Sequence, residues 1–342
     1  MSQRGIAIMI GISTAILVAA ALFLARSIFA PVAFAFFIIA LVWPLQSALQ
    51  RPLPKLLALF ITLIVTIVVL LVLVSMTAWG FGRAAQWLVA NAARFQTLYM
   101  QGAEWLEGHG LYAAGTLMET FNVSWLIRFF QSVATRLNGM VGFAVVTFIF
   151  VMLGLLEIDV LHRKLASGEA GAFGRKLLDA SREIASKFRR YMLVRTAMSL
   201  LTGLAMWGFA AAAGLDLAFA WGVIAFALNY IPFIGPLVAT LLPTLFAVAQ
   251  FESWQMAIAV FAGMNIIQFF SGSYIEPRIA GRALAMSPFI VLLAVFFWAF
   301  MWGLPGAFIG VPLVIALLTV CEQNEASRPI ARLLSGRPPA DG

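Results

Sequence analysis

Two ionisable residues, Glu276 and Arg278, stand beside long uncharged stretches of this chain and are the first candidates for chemistry. A charge within a membrane-spanning segment is costly, so such residues often mark a functional site. Glu276 could take up a proton or a cation, or it could pair with Arg278 to latch a gate. Alternatively, the two residues mark a membrane interface at which Arg278 meets lipid phosphate. The sequence leaves both interpretations open, a gate or ion-coupling site and an interfacial marker.

Four neutral polar residues, Asn229, Tyr230, Asn265 and Gln268, lie in or beside apolar stretches in the last third of the chain. Amide and phenol groups can exchange hydrogen bonds with a small, hydroxyl-rich solute. We therefore predict that these residues line a substrate pathway. Asn265 and Gln268 share a helical face at i and i+3, so the alternative for them is that they bond neighbouring helices together.

The chain offers no recognisable catalytic group. It lacks a glycine-rich phosphate loop followed by Lys-Ser or Lys-Thr, so ATP-driven transport within the chain is not indicated. Its histidines, His109 and His162, are far apart in polar segments, and Cys321 is the single cysteine, which argues against a metal centre or a disulfide. The sequence predicts a protein that is not an enzyme and that uses no cofactor and no metal.

The elements that must position these residues are apolar helices. Hydrophobic residues make up 63% of the 342 residues and charged residues only 11%, a composition that a soluble fold could not bury. A helix needs about 20 apolar residues to cross the hydrocarbon core. The first uncharged run exceeds the core of a signal peptide, so we interpret it as a retained span. The fold class is therefore an all-α, polytopic integral membrane protein with about six to eight spans, drawn from uncharged runs at 6–24, 56–82, 139–156, 196–215, 217–251, 253–275 and 283–321.

The basic residues predict the orientation of the chain. Lys and Arg near the ends of spans are enriched on the cytoplasmic side. With the N-terminus inside, the outer side receives only Arg26, Arg83, Arg94, Arg128 and Arg136. Both termini are then cytoplasmic. The formal net charge of +8 thus reflects membrane topology, and nucleic acid is not an expected partner.

Two segments outside the simple spans have a helical pattern of their own. Residues 83–138 are mixed in polarity and rich in aromatics, which predicts an external helical segment. Residues 157–195 place apolar side chains every three or four positions among basic ones, as in an amphipathic helix on the cytoplasmic membrane surface. That helix is either a connector held by anionic lipid or a gate or coupling element. The remaining parts are the N-terminal transmembrane helices (1–82), a transmembrane helix (139–156), the core transport region (196–321) and a cytoplasmic tail (322–342).

Two of the apolar runs, 217–251 and 283–321, are interrupted by glycine and proline, the second run at 302–306 and again at 310–312. Clustered prolines break a helix because each removes a hydrogen bond and clashes with the preceding turn. We predict two re-entrant helical hairpins of opposite orientation, the arrangement that marks a midplane binding site in secondary transporters. The alternative is a pair of proline-kinked spans. The residues that would open the backbone at or near the tips are Pro232, Gly235, Pro236, Pro305, Gly306, Gly310 and Pro312.

The interrupted runs and the segment between them carry sequence motifs. Residues 230–236 read Tyr-Ile-Pro-Phe-Ile-Gly-Pro, residues 274–282 read Tyr-Ile-Glu-Pro-Arg-Ile-Ala-Gly-Arg, and residues 302–313 read Trp-Gly-Leu-Pro-Gly-Ala-Phe-Ile-Gly-Val-Pro-Leu. Together they resemble the motifs of the autoinducer-2 exporter family of bacterial transporters, and the order of elements matches over essentially the whole chain. The Glu-Pro-Arg element, with Ser287-Pro288 after it, looks closest to the branch that holds the autoinducer-2 exporter itself.

This resemblance implies a transporter of the bacterial inner membrane that exports a small polar solute, such as an autoinducer-2-like signalling molecule, by alternating access or gated diffusion. It also implies a homo-oligomer. Many family members carry an acid and an asparagine around the glycine before the Pro-Arg element, where this chain has Ser271 and Ser273 around Gly272. A cation-coupling site is therefore not carried over.

Two other functions are compatible with the sequence. A monovalent cation–proton antiporter needs membrane acids, which are nearly absent here, and would lose pH-dependent sodium movement on Glu276→Gln. A non-transport membrane scaffold built on the external segment would lose a partner complex on deletion of residues 84–136. For the transporter, the expected partners are a small polar solute and membrane lipid.

Overall fold

A computed structural model of the chain describes residues 3–97, 100, 108, 124–167, 171–280, 286–323, 325 and 327–334. Much of the predicted external segment, including His109, lies outside these residues. The all-α fold class is confirmed, and the described residues include a π-helical segment, Phe270–Ile275. In chain order the helices are α1 (Gln3–Leu24), α2 (Arg26–Leu49), α3 (Lys55–Ala90), α4 (Ser124–Gly139), α5 (Val141–Ala166), α6 (Gly171–Ala212), α7 (Ala218–Leu228), α8 (Ile234–Phe251), α9 (Trp254–Phe269), α10 (Glu276–Ala280), α11 (Pro288–Trp302), α12 (Leu304–Gln323) and α13 (Arg328–Leu334).

Apolar helices long enough to cross a membrane dominate the described part of the chain. Helices α7 and α11 are shorter, with 11 and 15 residues. At 1.5 Å per residue, α7 is only about 17 Å long and cannot cross a hydrocarbon core of about 30 Å. The molecule is thus a polytopic helical membrane protein with seven candidate spans in the described residues: Arg26–Leu49, Lys55–Ala90, Ser124–Ala166, Phe173–Ala212, Ile234–Phe251, Trp254–Ile279 and Leu304–Gln323.

The chain forms two compact units. Unit 1 consists of Met1–Thr66, Val141–Met192 and Ala280–Gly342, and unit 2 consists of Ile67–Met140 and Leu193–Ile279. Helices α1, α2, α5, α11, α12 and α13 therefore belong to unit 1, and α4, α7, α8 and α9 belong to unit 2. The long helices α3 and α6 contribute residues to both units.

In unit 1, α6 packs against protein through the face that the sequence predicted to lie on the membrane surface. The Phe188 ring lies 5.3 Å from the Phe37 ring of α2, and Phe37 also contacts Phe308 of α12, with ring centroids 6.5 Å apart. Within the part of α6 that belongs to unit 1, Phe173 and Leu177 of the first turns are exposed. Around Phe188, the apolar face of α6 is therefore covered by other helices.

A second contact of α6 in unit 1 depends on a proline. Pro44, inside α2, has no backbone N–H, so the helix cannot supply its usual donor to the carbonyl of Ala40. The guanidinium of Arg189 donates a hydrogen bond to that carbonyl, with Nη1 3.1 Å from the oxygen. Arg189 thus replaces the donor that Pro44 removes, and it fixes the position of α6 against α2.

Unit 2 is built around one aromatic side chain, Phe246 of α8, which is almost completely buried. Its ring centroid lies 4.7 Å from that of Trp87, 4.6 Å from Trp221 and 5.8 Å from Phe130. Trp87 and Phe130 come from the predicted external segment, on α3 and α4. The described parts of that segment therefore pack onto α7 and α8 within unit 2.

Candidate functional site

The first interrupted run folds as a helical hairpin in unit 2, which we call hairpin 1 (residues 218–251). Helix α7 ends at Leu228 and α8 begins at Ile234, so the break falls at the predicted proline motif. Phe233, directly after Pro232, has a φ of 62°, and Pro236 lies in the first turn of α8, where its missing N–H costs nothing. Gly235 packs directly against the Leu228 carbonyl, with no room for a Cβ atom.

The two ends of hairpin 1 are fastened to each other. The Gln250 amide at the end of α8 donates to the Gly214 carbonyl at 2.8 Å and accepts from the Asp216 backbone N–H at 2.7 Å. The Asp216 carboxylate in turn accepts from the Trp87 indole, and its carbonyl accepts from the Trp221 indole, both at 3.0 Å. The segment before α7 and the end of α8 therefore lie side by side. The Gln250 amide joins them, and two indole N–H groups hold Asp216 in place.

The tip of hairpin 1 hydrogen-bonds to a polar face of α6 within unit 2. Asn229 is 6% exposed and its Nδ2 lies 3.3 Å from Ser199 Oγ. Tyr230 is 7% exposed and its hydroxyl donates to Thr196 Oγ1 at 3.0 Å. Two of the predicted pathway residues are thus buried, polar and close to other hydroxyl groups. Such groups can exchange partners with a solute that carries hydroxyls.

An ion pair adjoins these contacts in sequence on α6. Arg195 is 8% exposed, and its Nη1 lies 3.0 Å and 3.2 Å from the two carboxylate oxygens of Glu276. Glu276 therefore pairs with Arg195 and not with Arg278. Residues at i and i+2 of a helix do not face each other, which is why α10 cannot bring Glu276 and Arg278 together. The Arg278 guanidinium instead lies over the Tyr274 ring, 3.6 Å from its centroid.

We call Arg195, Thr196, Ser199, Asn229, Tyr230 and Glu276 the polar cluster of unit 2. Its three α6 members were not predicted as site residues from the sequence. The signal was present, since Arg195, Ser199 and Thr202 recur at i, i+4 and i+7 along a helix that is otherwise apolar there. Thr202 is fully buried, and its hydroxyl has no hydrogen-bond partner among the described residues. The polar stripe therefore extends one turn beyond Ser199.

The other two predicted polar residues lie on α9 and do not bond to a neighbouring helix through their side chains in the described structure. The Asn265 amide donates to the Phe261 carbonyl of its own helix at 2.8 Å. Gln268 Nε2 is buried without a hydrogen-bond partner among the described residues, directly before the π-helical segment. π-helical turns occur often at functional sites. This one presents Ser271, whose hydroxyl donates to the Gln268 carbonyl at 3.2 Å.

The second interrupted run forms a hairpin in unit 1, hairpin 2 (residues 288–323). Its tip is the single residue Gly303, which has a φ of 68°, a conformation that favours glycine. Gly306 packs directly against the Trp298 carbonyl, and a Cβ on Gly310 would lie 2.9 Å from the Ala294 carbonyl oxygen. These two glycines let the backbones of α11 and α12 approach closely. Pro305 lies in the first turn of α12.

The predicted second break at 310–312 is wrong, because α12 runs through Pro312 from Leu304 to Gln323. Inside a bundle, a proline is often accommodated as a local adjustment, since neighbouring groups can satisfy the backbone.

The predicted site residues fall in both units. Asn229, Tyr230, Pro232, Gly235, Pro236, Asn265, Gln268, Glu276 and Arg278 belong to unit 2, and Pro305, Gly306, Gly310 and Pro312 belong to unit 1.

Comparison with known proteins places these features in a family. The sequence model of the AI-2E family transporters matches residues 12–325. The AI-2 transport protein TqsA of Escherichia coli is 41% identical over 145 residues, which are 42% of each chain. A proposed transport protein of Haemophilus influenzae is 25% identical over 344 residues, 95% of each chain. Another, of Borreliella burgdorferi, is 27% identical over 203 residues, 58% of this chain and 56% of its own.

The match to TqsA spans less than half of that protein's length, whereas the family pattern covers nearly all of this chain. The pattern includes both hairpins, the polar cluster and the π-helical segment. This chain belongs to the AI-2E transporter family.

Proposed function

We propose that this protein exports a small polar solute, of the autoinducer-2 type, across the inner membrane of a bacterium. The observation that carries the proposal is the polar cluster at the tip of hairpin 1, in which Arg195, Ser199, Asn229 and Tyr230 are buried. Family membership supports a transport role over catalysis. The name of TqsA, a relative that transports AI-2, supports the choice of solute.

The chemistry of the polar cluster favours a solute that makes hydrogen bonds over a bare cation. Asn229, Tyr230, Ser199 and Thr196 together offer amide and hydroxyl groups that can both donate and accept. The carboxylate of Glu276 already faces the Arg195 guanidinium with both oxygens. An ion pair of this kind is a poor cation-exchange group, because its charge is compensated. The solute is therefore neutral and hydroxyl-rich.

The proposed mechanism is alternating access or gated diffusion in a homo-oligomer, with both hairpins re-entering the membrane. The tip of each hairpin opens its backbone in the middle of an apolar run, as in transporters with broken helices. Lipid contacts the exposed apolar faces, which are extensive on α1 and α3.

Removal of one polar group from the cluster is expected to slow export. Tyr230→Phe deletes the donor to Thr196, and Asn229→Leu deletes the amide that faces Ser199. Each change removes a hydrogen bond at the tip, and Asn229→Leu takes this partner away from the buried Ser199 hydroxyl, so we expect efflux to fall about tenfold for each variant. The measurement is efflux of autoinducer-2 from proteoliposomes loaded with it.

Thr77→Val is the matched control for this test. It also removes one hydroxyl in unit 2, but that hydroxyl donates to the Leu73 carbonyl of its own helix. Normal efflux from Tyr230→Phe and Asn229→Leu, at equal amounts of reconstituted protein, would contradict the assignment of the solute site.

The predicted orientation can be tested with the native cysteine. Cys321, the single cysteine, is partly exposed near the end of α12. If the C-terminus is cytoplasmic, a membrane-impermeant maleimide labels Cys321 in inside-out vesicles and not in right-side-out vesicles. Labelling only in right-side-out vesicles would invert the proposed topology.

A further inference from the structure

Thr202 of α6 carries a hydroxyl that its own helix does not use. A threonine inside a helix often donates to the carbonyl four residues earlier, and this bond satisfies the hydroxyl without help from another element. Thr202 is fully buried and makes no such bond, and its hydroxyl has no partner among the described residues. Threonines that do bond in this way are Thr66, Thr77, Thr147, Thr240, Thr244 and Thr319. A buried polar group without a partner is destabilising, so the Thr202 hydroxyl needs an explanation.

Two contacts show how α6 lies against the span Trp254–Ile279 within unit 2. At one end, the Arg195 guanidinium meets the Glu276 carboxylate. At the other end, the Phe209 ring packs against Gly263. The two helices therefore run antiparallel. Thr202 stands midway between Arg195 and Phe209, and positions seven apart return to almost the same side of a helix. Thr202 thus faces the span that contains α9.

The other side of this interface carries a second polar atom without a partner. The midpoint between Gly263 and Glu276 falls at residues 269–270, where the π-helical segment begins. Gln268 stands beside this midpoint, and its Nε2 is buried without a hydrogen-bond partner among the described residues. Thr202 and Gln268 therefore lie at about the same depth in unit 2, on two helices that pack against each other.

Thr202 is also close to the tip of hairpin 1. Ser199, three residues earlier on α6, lies with its Oγ 3.3 Å from Asn229 Nδ2. At a rise of 1.5 Å per residue, Ser199 and Thr202 are about 4.5 Å apart along the helix axis. A small solute whose oxygen atoms have a similar separation can bond to the tip and to Thr202 at the same time. Thr202 therefore lies within reach of a solute that is bound at the polar cluster.

An unpartnered hydroxyl does not by itself identify a binding site. Thr62 of α3, in unit 1, is also fully buried, and its hydroxyl likewise has no partner in the described part of the chain. One turn before Thr62 stand the apolar residues Ala58 and Leu59, whereas one turn before Thr202 stands Ser199 of the polar cluster. Position on the polar face of α6 is what distinguishes Thr202.

We propose that Thr202 and Gln268 form a second subsite for the exported solute, which holds an oxygen atom about 4.5 Å from the one bound at the tip of hairpin 1. This assignment rests on the proposed function and adds a requirement for specificity. Gln268 Nε2 can only donate, so the atom held there is an acceptor, such as a hydroxyl, ether or carbonyl oxygen. The preferred substrates are therefore small neutral molecules with at least two oxygen atoms at this separation.

Thr202→Val tests the subsite, because valine has a similar shape and lacks the hydroxyl. Loss of a buried hydroxyl without a partner should raise the midpoint of thermal unfolding in detergent. Loss of the contact with the solute should raise the KM for autoinducer-2 efflux from proteoliposomes about tenfold. Gln268→Leu should raise the KM in the same way. Thr202→Ser keeps the hydroxyl and should keep the KM of the parent protein.

Thr62→Val is the matched control, because it removes an equally buried hydroxyl that lies outside the polar cluster. It should raise the unfolding midpoint and leave the KM at the parent value. If Thr202→Val and Gln268→Leu both keep the parent KM, or if Thr62→Val raises the KM equally, the subsite is refuted and the proposed function stands. If the parent protein exports no autoinducer-2, the proposed function fails and the subsite falls with it.

Discussion

Gly235→Ala is expected to abolish autoinducer-2 efflux from proteoliposomes. The added methyl group would overlap the Leu228 carbonyl, a backbone atom that cannot rotate away. The tip of hairpin 1 must then open, which displaces Asn229 and Tyr230 from Ser199 and Thr196. Overpacking of this kind costs about 1–3 kcal/mol. The protein should therefore still insert and unfold cooperatively, while its export rate falls to background.

Gly208→Ala provides the control for this change. Gly208 lies inside α6, in unit 2, and a Cβ atom there would meet nothing within 4 Å. Alanine favours helix over glycine by about 1 kcal/mol, so this variant should be slightly more stable and export normally. Gly306→Ala, at the equivalent close approach in hairpin 2, should behave like Gly235→Ala. Full efflux from Gly235→Ala would show that the tip geometry is not needed for export.

Arg195→Met is expected to destabilise the protein more than any other single change to the polar cluster. It leaves the Glu276 carboxylate without the guanidinium that compensates its charge. Loss of one partner from a fully buried pair costs about 3–5 kcal/mol. Because the Glu276 side chain is 27% exposed, water recovers part of this, and we expect about 2 kcal/mol. The free energy of unfolding, measured by denaturant titration in detergent, gives the value.

The double variant Arg195→Met/Glu276→Leu separates stability from function. Removal of both charges should restore most of the lost stability, since two apolar groups need no compensation. Efflux should remain low in the double variant if Arg195 positions the hydroxyl partners of the tip. Arg278→Met should cost at most about 1 kcal/mol, because its contact with the exposed Tyr274 ring is weak. Equal losses for Arg195→Met and Arg278→Met would contradict the buried ion pair.

Features that depend on local chemistry could be predicted from the sequence. The breaks in both interrupted runs fall beside Pro232 and at Gly303, because proline and glycine clustered together disfavour a continuous helix. The burial of Asn229 and Tyr230 was also accessible, since both stand at a helix break inside an apolar run. The lengths of the apolar runs also predicted the polytopic class, because length and polarity are local properties of the sequence.

Features that depend on distant partners could not be predicted. Arg195 is 81 residues from Glu276 in the chain, and nothing near either residue indicates the pair. The same holds for Lys187 and Glu322, which are 135 residues apart. Pro312 was predicted to break α12, but its neighbours in unit 1 keep the helix continuous. Whether a proline interrupts a helix thus depends on the residues packed around it, which a single sequence does not specify.

The hydrogen bond from Arg189 to the Ala40 carbonyl has a consequence for how this sequence can change over time. Arg189 serves as the donor that Pro44 removed from α2. In a chain that retains Pro44, loss of Arg189 leaves the Ala40 carbonyl in unit 1 without this hydrogen-bond donor. In a chain that has already replaced Pro44, residue 44 supplies its own N–H, and Arg189 becomes dispensable. Substitution of Pro44 must therefore come before substitution of Arg189, because only that order keeps a donor for the Ala40 carbonyl throughout.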